Sequence, residues 1–501
     1  MSDKIYKGEE ARKLIAEGVK EFFETIKVAY GPVSGNVGIL KQLRPLRVTH
    51  DGATIAKNIE LKGPLRAGAE TIQNAAIKME RELGDGTTTV MVLASSIVAE
   101  VQDNLSLGDS PIKIRDRLQE EAKLVVSKLP AFTKKEEVTL DVLKQIGAIS
   151  ASDDALGAKV AEIVYQVGDK GYVSVEEGLG TEVEGEVVRG YTIDNGLASN
   201  YMIQDVSSMT TTLVNPKVLI ANQKITNYEL LITALQAVKG GPLLIIADDM
   251  SDGVMGALIK TNEKELTNVA FVKSPRFGKK RTEFLKDIAA VVGTEVIDGK
   301  SVGFDTALGV ADRIVCTTEK TVIMGGAGDV TERKSVIDGQ IKLADDDFEI
   351  QEAEQRRAAI EGKTAVIRVG GMSQDEVNEI KDRIDDAVYA CQAALRSNVV
   401  AGGGTTLIDL AEELPNTSIL KRVLKVPFET LLDNIGLKAS DFEAGKGMGV
   451  NLRTGEFVDM FKEGIIEPAE TVEKAIQYAV SIAGTAITMK VLIVEEEDED
   501  E

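Results

Sequence analysis

The sequence Gly84-Asp85-Gly86-Thr87-Thr88-Thr89 joins two runs with different hydrophobic patterns. The run before it, residues 69–83, has the spacing of an amphipathic helix; the run after it, residues 90–101, is apolar nearly all round and lacks Pro and Gly. We therefore expect a buried helix that begins near the threonines. Unpaired N–H groups at its positive dipole end would form an anion site, and the glycines would let a phosphate approach the backbone.

Asp85 determines which kind of anion fits this loop. Its carboxylate would repel a bare phosphate, but it fits a site in which Mg²⁺ lies between the carboxylate and phosphate oxygens. The alternative is an ordinary helix-to-helix turn with threonine caps. The loop lacks Walker A spacing and a preceding strand, so it is not an ordinary P-loop.

Composition and charge limit the class of protein. A chain of 501 residues is expected to form two to four domains. Its net charge of −23 argues against a nucleic-acid or anionic-membrane partner, and the seven acids at 495–501 predict a disordered, solvating tail. Two distant cysteines, Cys316 and Cys391, favour a reduced compartment. With no signal-type or membrane-spanning apolar run, a cytoplasmic location is expected.

A single histidine, His50, excludes several kinds of catalytic site. Ser-His-Asp triads and the common zinc and iron sites need histidines that this chain lacks. An aromatic content of 4% without tryptophan also argues against recognition of nucleic acid by base stacking. Any catalysis is therefore expected to depend on carboxylates, a metal and backbone dipoles.

The N-terminal part of the chain is predicted to be mainly helical. Residues 5–30 carry a helical apolar face, and Gly31-Pro32 ends it in a turn. A short strand pair, 38–40 and 47–49, follows. Asp51 then opens a helix at 53–59, so that Asp51 and Asp85 both lie where a loop enters a helix.

The middle of the chain alternates apolar strands with helices, which predicts a parallel sheet. The predicted strands are 218–221, 243–247 and 269–272, and the helices are 228–238 and 254–261. A metabolic enzyme acting at this sheet is one alternative function. No GxGxxG follows the first strand, and only Asp248 and Asp249 follow the second, where acids are commonly helix caps.

The C-terminal part returns to helices. Helix 373–395 carries the pair Asp385-Asp386, and three glycines at 402–404 precede the helix 405–414. A further helix, 468–486, leads to a strand at 491–494. The order helical, mixed, α/β, mixed, helical predicts one insertion inside another, with both chain ends in one helical domain.

These motifs together resemble a group I chaperonin, the GroEL type found in bacteria and organelles, over essentially the whole chain. The resemblance is carried by Gly31-Pro32, Asp51-Gly52, Gly84 to Thr89 followed by Val92-Leu93-Ala94, Pro275-Arg276-Phe277-Gly278, Asp386-Ala387 and Val399 to Gly404. It implies a multidomain α+β and α/β fold. The implied boundaries are an equatorial domain at 1–131 and 397–494, an intermediate domain at 132–188 and 365–396, an apical domain at 189–364, and the tail 495–501.

The resemblance also implies a function, namely ATP-dependent refolding of proteins driven by Mg²⁺-dependent ATP hydrolysis. Asp386 and Asp51 match the catalytic acids, and Asp85 and Asp386 match the metal ligands. The matching nucleotide-binding residues are Gly31, Pro32, Gly84, Asp85, Gly86, Thr87, Thr88, Thr89, Gly402, Gly403, Asn451 and Glu467. The matching client-binding positions are Leu197, Tyr201, Met202, Ile232, Leu235, Met255 and Ile259, whose alternative role is ordinary core. Gly190 and Gly362 match hinge glycines.

The partners implied by the resemblance are unfolded clients, a GroES-type co-chaperonin and further copies of the chain in seven-subunit rings, stacked in pairs. Several positions depart from the family pattern. Lys260 replaces an apolar contact, which weakens the case for co-chaperonin docking. Ala29 replaces a threonine linked to the K⁺ site, and His50 stands where a lysine is usual beside the phosphates, so K⁺ dependence is in doubt. A ring that has lost its ATPase activity is the remaining alternative, and the retention of Asp51, Asp85 and Asp386 argues against it.

Overall fold

The computed structural model describes residues 3–33, 35, 37–41, 46–49, 51–104, 110–134, 137–178, 181–206, 208–298, 308–343 and 347–495. The chain forms two compact units. Unit 1 comprises Met1–Asp169, Val175–Glu184 and Arg368–Glu501, and unit 2 comprises Lys170–Ser174 and Gly185–Ile367. His50 and the tail acids 496–501 lie outside the described residues.

Helices account for most of unit 1, and strands are concentrated in unit 2. The α-helices are α1 (Glu9–Ile26), α2 (Gly52–Asn58), α3 (Arg66–Leu83), α4 (Thr87–Asn104), α5 (Pro111–Lys128), α6 (Leu140–Ser150), α7 (Asp154–Val167), α8 (Glu229–Val238), α9 (Asp252–Glu263), α10 (Gly278–Val292), α11 (Thr331–Leu343), α12 (Asp347–Ile360), α13 (Gln374–Ser397), α14 (Thr405–Glu412), α15 (Ile419–Val423), α16 (Val426–Asp433) and α17 (Ala469–Thr488). The strands are β1 (Asp3–Lys7), β2 (Val37–Ile39), β3 (Arg47–Thr49), β4 (Tyr172–Glu177), β5 (Val183–Ile193), β6 (Thr211–Val214), β7 (Lys217–Ile225), β8 (Pro242–Met250), β9 (Asn268–Lys273), β10 (Leu308–Val310), β11 (Arg313–Cys316), β12 (Thr321–Met324), β13 (Lys363–Val369), β14 (Val399–Ala401), β15 (Met448–Asn451), β16 (Glu456–Asp459), β17 (Ile466–Pro468) and β18 (Val491–Glu495).

The core of unit 1 is built around α4. This helix packs against α1, α3 and α17, and Val90, Met91 and Leu93 are fully buried. A helix that touches neighbours on all sides needs apolar residues on all sides, which explains its nearly uniform hydrophobicity. The predicted buried helix after Gly86 is confirmed, and it begins at Thr87.

Both chain ends belong to unit 1, as predicted. Strand β1 pairs antiparallel with β18, with Asp3 opposite Glu495 and Lys7 opposite Val491. The prediction of helix from residue 5 is wrong for the first few residues. The helix begins only at Glu9, because Gly8 turns the chain with a φ of +61° and β1 is held by its partner strand.

Unit 2 contains the predicted parallel sheet, with strand order β10-β7-β8-β9. The pairs β7–β8 and β8–β9 are parallel, as predicted, and β10 adds to the edge of β7 in antiparallel orientation. Residues 218–221 and 243–247 are fully buried. Continuous apolar runs of this kind are typical of strands covered on both faces.

A second, antiparallel set of strands in unit 2 was not predicted in detail. Strands β5, β12, β11 and β6 lie side by side in that order. Each of β6, β11 and β12 has only four residues, too short for a clear alternation in the sequence.

Candidate active site

A cavity of about 660 Å³ in unit 1 collects most of the predicted site residues. Among the residues that line it are Gly31, Pro32, Asp51, Asp85, Gly86, Thr87, Thr88, Thr89, Asp386, Gly403, Asn451 and Glu467. Gly84 and Gly402 do not line it. Gly84 lies at the C-terminal end of α3, immediately before Asp85. Gly402 donates its N–H to the carbonyl of Ile465 (2.9 Å). The cavity therefore joins residues that are up to about four hundred positions apart in sequence.

The loop from Gly84 to Gly86 turns the chain from α3 into α4. Gly84 ends α3 in the left-handed conformation with a φ of +67°, and Gly86 has a φ of +73°. A Cβ on Gly86 would lie 2.6 Å from the Cγ2 of Thr471. A Cβ on Gly84 would also be obstructed, so both positions require glycine for its conformation and for its small size.

Asp85, between these glycines, is held by two donors. Its Oδ1 accepts from the N–H of Gly86 (2.7 Å) and its Oδ2 accepts from the Oγ1 of Thr471 (3.2 Å). Burial raises the pKa of Asp85, and the two hydrogen bonds partly offset this effect. The carboxylate is thus fixed in orientation at the cavity wall.

The N-terminus of α4 forms one wall of the cavity through Thr87, Thr88 and Thr89. The Oγ1 of Thr89 shares a hydrogen bond with the hydroxyl of Tyr30 (3.1 Å). Burial, together with the nearby charges of Glu467 and Asp85, raises the pKa of Tyr30, which keeps its hydroxyl neutral.

Asp51 has a structural role besides its place in the cavity. It caps the N-terminus of α2, and its two carboxylate oxygens accept from the N–H groups of Ala53 (3.2 Å) and Thr54 (2.7 Å). A Cβ on the next residue, Gly52, would lie 2.1 Å from the Oγ1 of Thr88. The glycine thus allows α2 and α4 to meet at their N-termini, which brings Asp51 to the same site as Asp85.

Asp386 is the third carboxylate of the cavity and lies on α13. Burial raises its pKa well above the ordinary value, and the negative charges of Asp51 and Asp85 raise it further. The neighbouring Asp385 does not line the cavity, and burial raises its pKa to about 7. The charges of Asp51 and Asp85 thus disfavour the charged form of Asp386.

Glu467 places a further carboxyl group in the cavity. It lies on β17, paired opposite Val400 of β14. Its Oε1 is buried without a hydrogen-bond partner, and burial, followed by the charge of Asp85, raises the pKa of Glu467 to about 8. A buried carboxyl oxygen without a partner is unusual and indicates a group that meets a ligand.

The cations at the cavity wall are already engaged with other acids. Lys144 pairs with Glu162 (2.7 Å), and Arg453 pairs with Asp154 (3.3 Å). A bound cation would favour the charged forms of the cavity carboxyl groups, whose pKa values are raised without it. A Mg²⁺ ion carrying phosphates fits this donor set, because Mg²⁺ is usually bound by one or two carboxylates and completed by phosphate oxygens and water. Among the residues that the structure describes, no group of three or more His, Cys, Asp or Glu is positioned to hold a metal ion by protein ligands alone.

The sequence did not indicate Tyr30, which lines the cavity, or Thr471, which does not line it but donates to Asp85. Tyr30 immediately precedes the predicted turn at Gly31, and Thr471 lies in the first turn of α17. Their hydrogen bonds to Thr89 and Asp85 join positions that are distant in sequence. Only the proximity of Tyr30 to the Gly-Pro turn could have marked one of them.

The predicted client-binding positions in unit 2 divide by exposure. Tyr201 is 79% exposed and Ile232 37% exposed. Leu235, Met255 and Ile259 are partly buried against the core.

The prediction that Leu197 and Met202 present their side chains at a surface is wrong, because they are only 7% and 3% exposed. Leu197 bridges to Val272 of β9, and the carbonyl of Met202 accepts from the buried Oγ1 of Thr211 (2.6 Å). These contacts join Leu197 to β9 and Met202 to β6.

The predicted hinge glycines, Gly190 and Gly362, touch each other within unit 2. The N–H of Gly190 donates to the carbonyl of Gly362 (3.0 Å), and a Cβ on Gly190 would lie 1.9 Å from the Cγ2 of Thr364. The close side chain of Thr364 therefore explains why glycine is needed at position 190 in this structure. Motion at these glycines stays a prediction.

The acids at the edge of the parallel sheet are neutralised by neighbouring cations. Asp249 pairs with Lys224 (2.6 Å) and Lys273 (2.8 Å), and Asp248 pairs with Arg281. These pairs leave neither acid as an isolated charge, so nothing at this edge supports the alternative of a metabolic enzyme.

A model of the TCP-1/cpn60 chaperonin family matches residues 23–239 and 237–497. The chain belongs to the TCP-1/cpn60 chaperonin family. The resemblance predicted from the sequence is thereby confirmed. The chaperonin family is in general a family of ATPases, and a chaperone function follows from membership at this level.

Solved structures of another chaperonin have the same fold. Chaperonin gp146 from the bacteriophage EL 2 (Pseudomonas aeruginosa), crystallised in the presence of ATP-BeFx, is similar in two crystal forms. Crystal form II superposes with a TM-score of 0.73 at 20% identity, and crystal form I with a TM-score of 0.67 at 19% identity. Each comparison covers 98% of this chain and 99% of the phage chain, which confirms the predicted fold class.

No described helix of this chaperonin is both long and apolar enough to span a bilayer.

Proposed function

We propose that this chain is the subunit of a cytoplasmic chaperonin that binds Mg²⁺-ATP in the cavity of unit 1, hydrolyses it, and uses the cycle to refold client proteins. The observation that carries the proposal is the convergence of Asp51, Asp85 and Asp386 on one cavity, beside the N-terminus of α4. The described cations of the lining, Lys144 and Arg453, are paired with Glu162 and Asp154, so a metal-bound phosphate would supply the positive charge that these three carboxylates favour. The ATP-BeFx present with the similar phage chaperonin supports the same ligand class.

Different residues of the cavity are assigned to phosphate binding and to metal binding. The N–H groups of the first turn of α4 would bind phosphate oxygens, and Gly31 and Pro32 line the cavity where the nucleotide would lie. Asp85 and Asp386 would hold the ion. When bound, Mg²⁺ neutralises phosphate charge and polarises the terminal phosphoryl group.

Asp386 is proposed to orient the attacking water and accept its proton. A raised pKa suits this role, because a more basic carboxylate takes a proton more readily. Asp51 lies beside it with both oxygens held by the cap of α2, so it would act as a fixed negative charge near the water. Asn451 and Glu467 line the remaining wall and are assigned to the sugar and base of the nucleotide.

Assembly and partners follow from the family and are part of the proposal. Rings of seven subunits, stacked in pairs, with a GroES-type co-chaperonin and unfolded clients, are the arrangement that the group I resemblance implies. The exposed side chains of Tyr201 and Ile232 support a capture surface in unit 2. K⁺ is left out of the proposed site, since Ala29 is apolar and its neighbouring cavity residue is Tyr30.

The test is the Asp386→Ala variant, assayed for nucleotide binding and for steady-state ATP hydrolysis. We expect kcat to fall at least about 100-fold while ATP still binds, because general-base and positioning effects commonly contribute this much. Asp385→Asn is the matched control, since Asp385 is adjacent on α13 and does not line the cavity. Undiminished turnover in Asp386→Ala would remove Asp386 from the mechanism.

A further inference from the structure

The side chain of Tyr389 contacts the loop that carries Asp85. Tyr389 lies on α13, and its ring rests against Gly84. A Cβ built on Gly84 would lie 2.0 Å from the Cδ2 of Tyr389, 2.2 Å from its Cγ and 2.6 Å from its Cε2. The ring therefore occupies the space that any other residue at position 84 would need.

This contact joins the two elements that carry the metal-binding acids of the proposed site. Gly84 ends α3 and immediately precedes Asp85. Tyr389 follows Asp386 by three residues on α13, so both side chains project from the same face of that helix. The distance from the ring to Gly84 thus helps to set the distance from Asp386 to Asp85.

The ring of Tyr389 is not simply part of the core. Its side chain is 44% exposed, whereas Ala387 and Val388, on the same helix, are buried. The acidic groups that face Tyr389 are Asp385, Glu80 and Asp386. Because the ring is half-exposed, its contact with Gly84 buries only a modest apolar area. Its specific effect is on the spacing between α13 and the loop that carries Asp85.

We propose that Tyr389 is a positioning residue for ATP hydrolysis, whose ring docks on Gly84 and holds Asp386 in register with Asp85. The inference rests on the proposed function, since it assigns Tyr389 a role in the same site. Tyr389 itself touches the loop and not the reacting atoms. A shift of about 1 Å in a catalytic group can cost about 100-fold in rate, so a contact of this kind can matter without altering ATP affinity.

The first test is a set of full-length variants assayed for kcat and KM. Tyr389→Phe keeps the ring and is expected to keep kcat within about twofold, whereas Tyr389→Ala is expected to lower kcat about tenfold or more with KM within about twofold. Tyr165→Ala is the matched control, because Tyr165 is a half-exposed tyrosine on α7 of the same unit and is absent from the cavity. Tyr389→Ala with unchanged kcat, or a loss equal to that of Tyr389→Phe, would overturn the proposal.

The second test needs no nucleotide. Hydrogen exchange of the Gly84–Gly86 amides in the nucleotide-free protein should be faster in Tyr389→Ala than in the wild type, and unchanged in Tyr389→Phe and Tyr165→Ala. Equal exchange in Tyr389→Ala would show that the ring does not hold the loop. If the wild type hydrolyses no ATP, the proposed function fails, and the exchange measurement still decides whether the docking exists.

A third comparison uses the space that the ring fills. Gly84→Ala should lower kcat because its Cβ meets the ring and its φ of +67° disfavours alanine. The double variant Gly84→Ala/Tyr389→Ala should be no slower than the more impaired single variant, since removing the ring relieves the clash. Fully additive losses would indicate that the two residues act independently.

Discussion

At the residue scale, the carboxyl groups of the cavity show how one fold gives the same side chain different tasks. Asp51 has both oxygens occupied by backbone donors, and Asp85 is held by Gly86 and Thr471. Glu467 instead keeps a buried oxygen without a partner. Asp51 and Asp85 are thus held in fixed orientations, whereas no described protein atom donates a hydrogen bond to the Oε1 of Glu467.

The pKa of Glu467 leads to a prediction about stability and pH in the nucleotide-free protein. Because burial raises this pKa to about 8, the folded state keeps a proton that the unfolded state loses near pH 4.5. The contribution of Glu467 to the free energy of unfolding is therefore fully present below about pH 4.5, and it is lost as the pH rises towards 8. We expect the free energy of unfolding to fall over this window, by at most about 1.4 kcal/mol per pH unit from this group.

The measurement is denaturant unfolding at pH 5.5, 7 and 8.5, followed by circular dichroism. Glu467→Gln should remove this part of the decline, and Glu463→Gln, at an exposed glutamate of the same cavity, should keep it. An identical pH dependence in the wild type and in Glu467→Gln would contradict the assigned pKa shift.

Much of the cavity could be predicted at the residue level, because its loops use residues with few alternatives. Gly84 and Gly86 adopt conformations that favour glycine, and Asp51 is a helix cap. A positive φ or a helix cap restricts which residue types fit at a position, so it can be recognised from the residues at that position and beside it. Tyr30 and Thr471 left almost no local signal of this kind, because their partners lie on other elements.

At the element scale, the confirmed predictions depend on patterns within a short stretch of sequence, and the wrong ones depend on contacts with distant elements. The helix after Gly86 and the parallel strands β7, β8 and β9 are long apolar runs, and the sequence predicted both. Strand β1 is short, exposed and stabilised by β18, about 490 residues away, so nothing local distinguishes it from the start of a helix. Leu197 was likewise misassigned, because its burial depends on β9.

A buried ionic cluster joins α10 to α11 and α12 in unit 2. Asp287 of α10 is fully buried and accepts from the Nε of Arg333 (2.7 Å) and the Nε of Arg356 (2.6 Å). Ile337 of α11 and Ala353 and Ile360 of α12 are buried in the apolar core of the unit. The ionic cluster therefore adds a polar attachment of both helices to α10 beside these apolar contacts.

Asp287→Asn should weaken this attachment, because it leaves two largely buried guanidinium groups without a full counter-charge. We expect unit 2 to lose about 3–5 kcal/mol of stability, the usual cost of breaking a buried ion pair. Asp338→Asn is the matched control, since it breaks the more exposed pair between Asp338 and Arg357 and should cost less than about 1 kcal/mol. Denaturant unfolding would measure both, and equal effects would contradict the role given to Asp287.

At the scale of the whole molecule, the chain order explains how one cavity draws on distant parts of the sequence. Residues 1–169 and 368–501 fold together in unit 1, and β1 pairs with β18. The middle of the chain forms unit 2, which carries the exposed Tyr201. Client capture and nucleotide chemistry are therefore assigned to different units of one subunit.

Tyr201→Glu should reduce the capture of a denatured client, because a charge replaces an apolar ring that is 79% exposed. ATP hydrolysis should be largely unaffected, since Tyr201 belongs to unit 2 and the cavity to unit 1. Suppression of client aggregation measures capture, with Tyr165→Glu as the matched control for an exposed tyrosine outside unit 2. Undiminished capture by Tyr201→Glu would remove this residue from the client-binding surface.

The central claim is that the carboxylates of the cavity receive a magnesium-bound triphosphate. Its most direct test is calorimetric binding of a non-hydrolysable ATP analogue, with Mg²⁺ and with EDTA. Since Asp51, Asp85 and Asp386 repel bare phosphate, we predict binding at least about tenfold tighter with Mg²⁺, and a smaller Mg²⁺ effect in Asp85→Asn. Equal affinity with and without Mg²⁺ in the wild type would contradict the account.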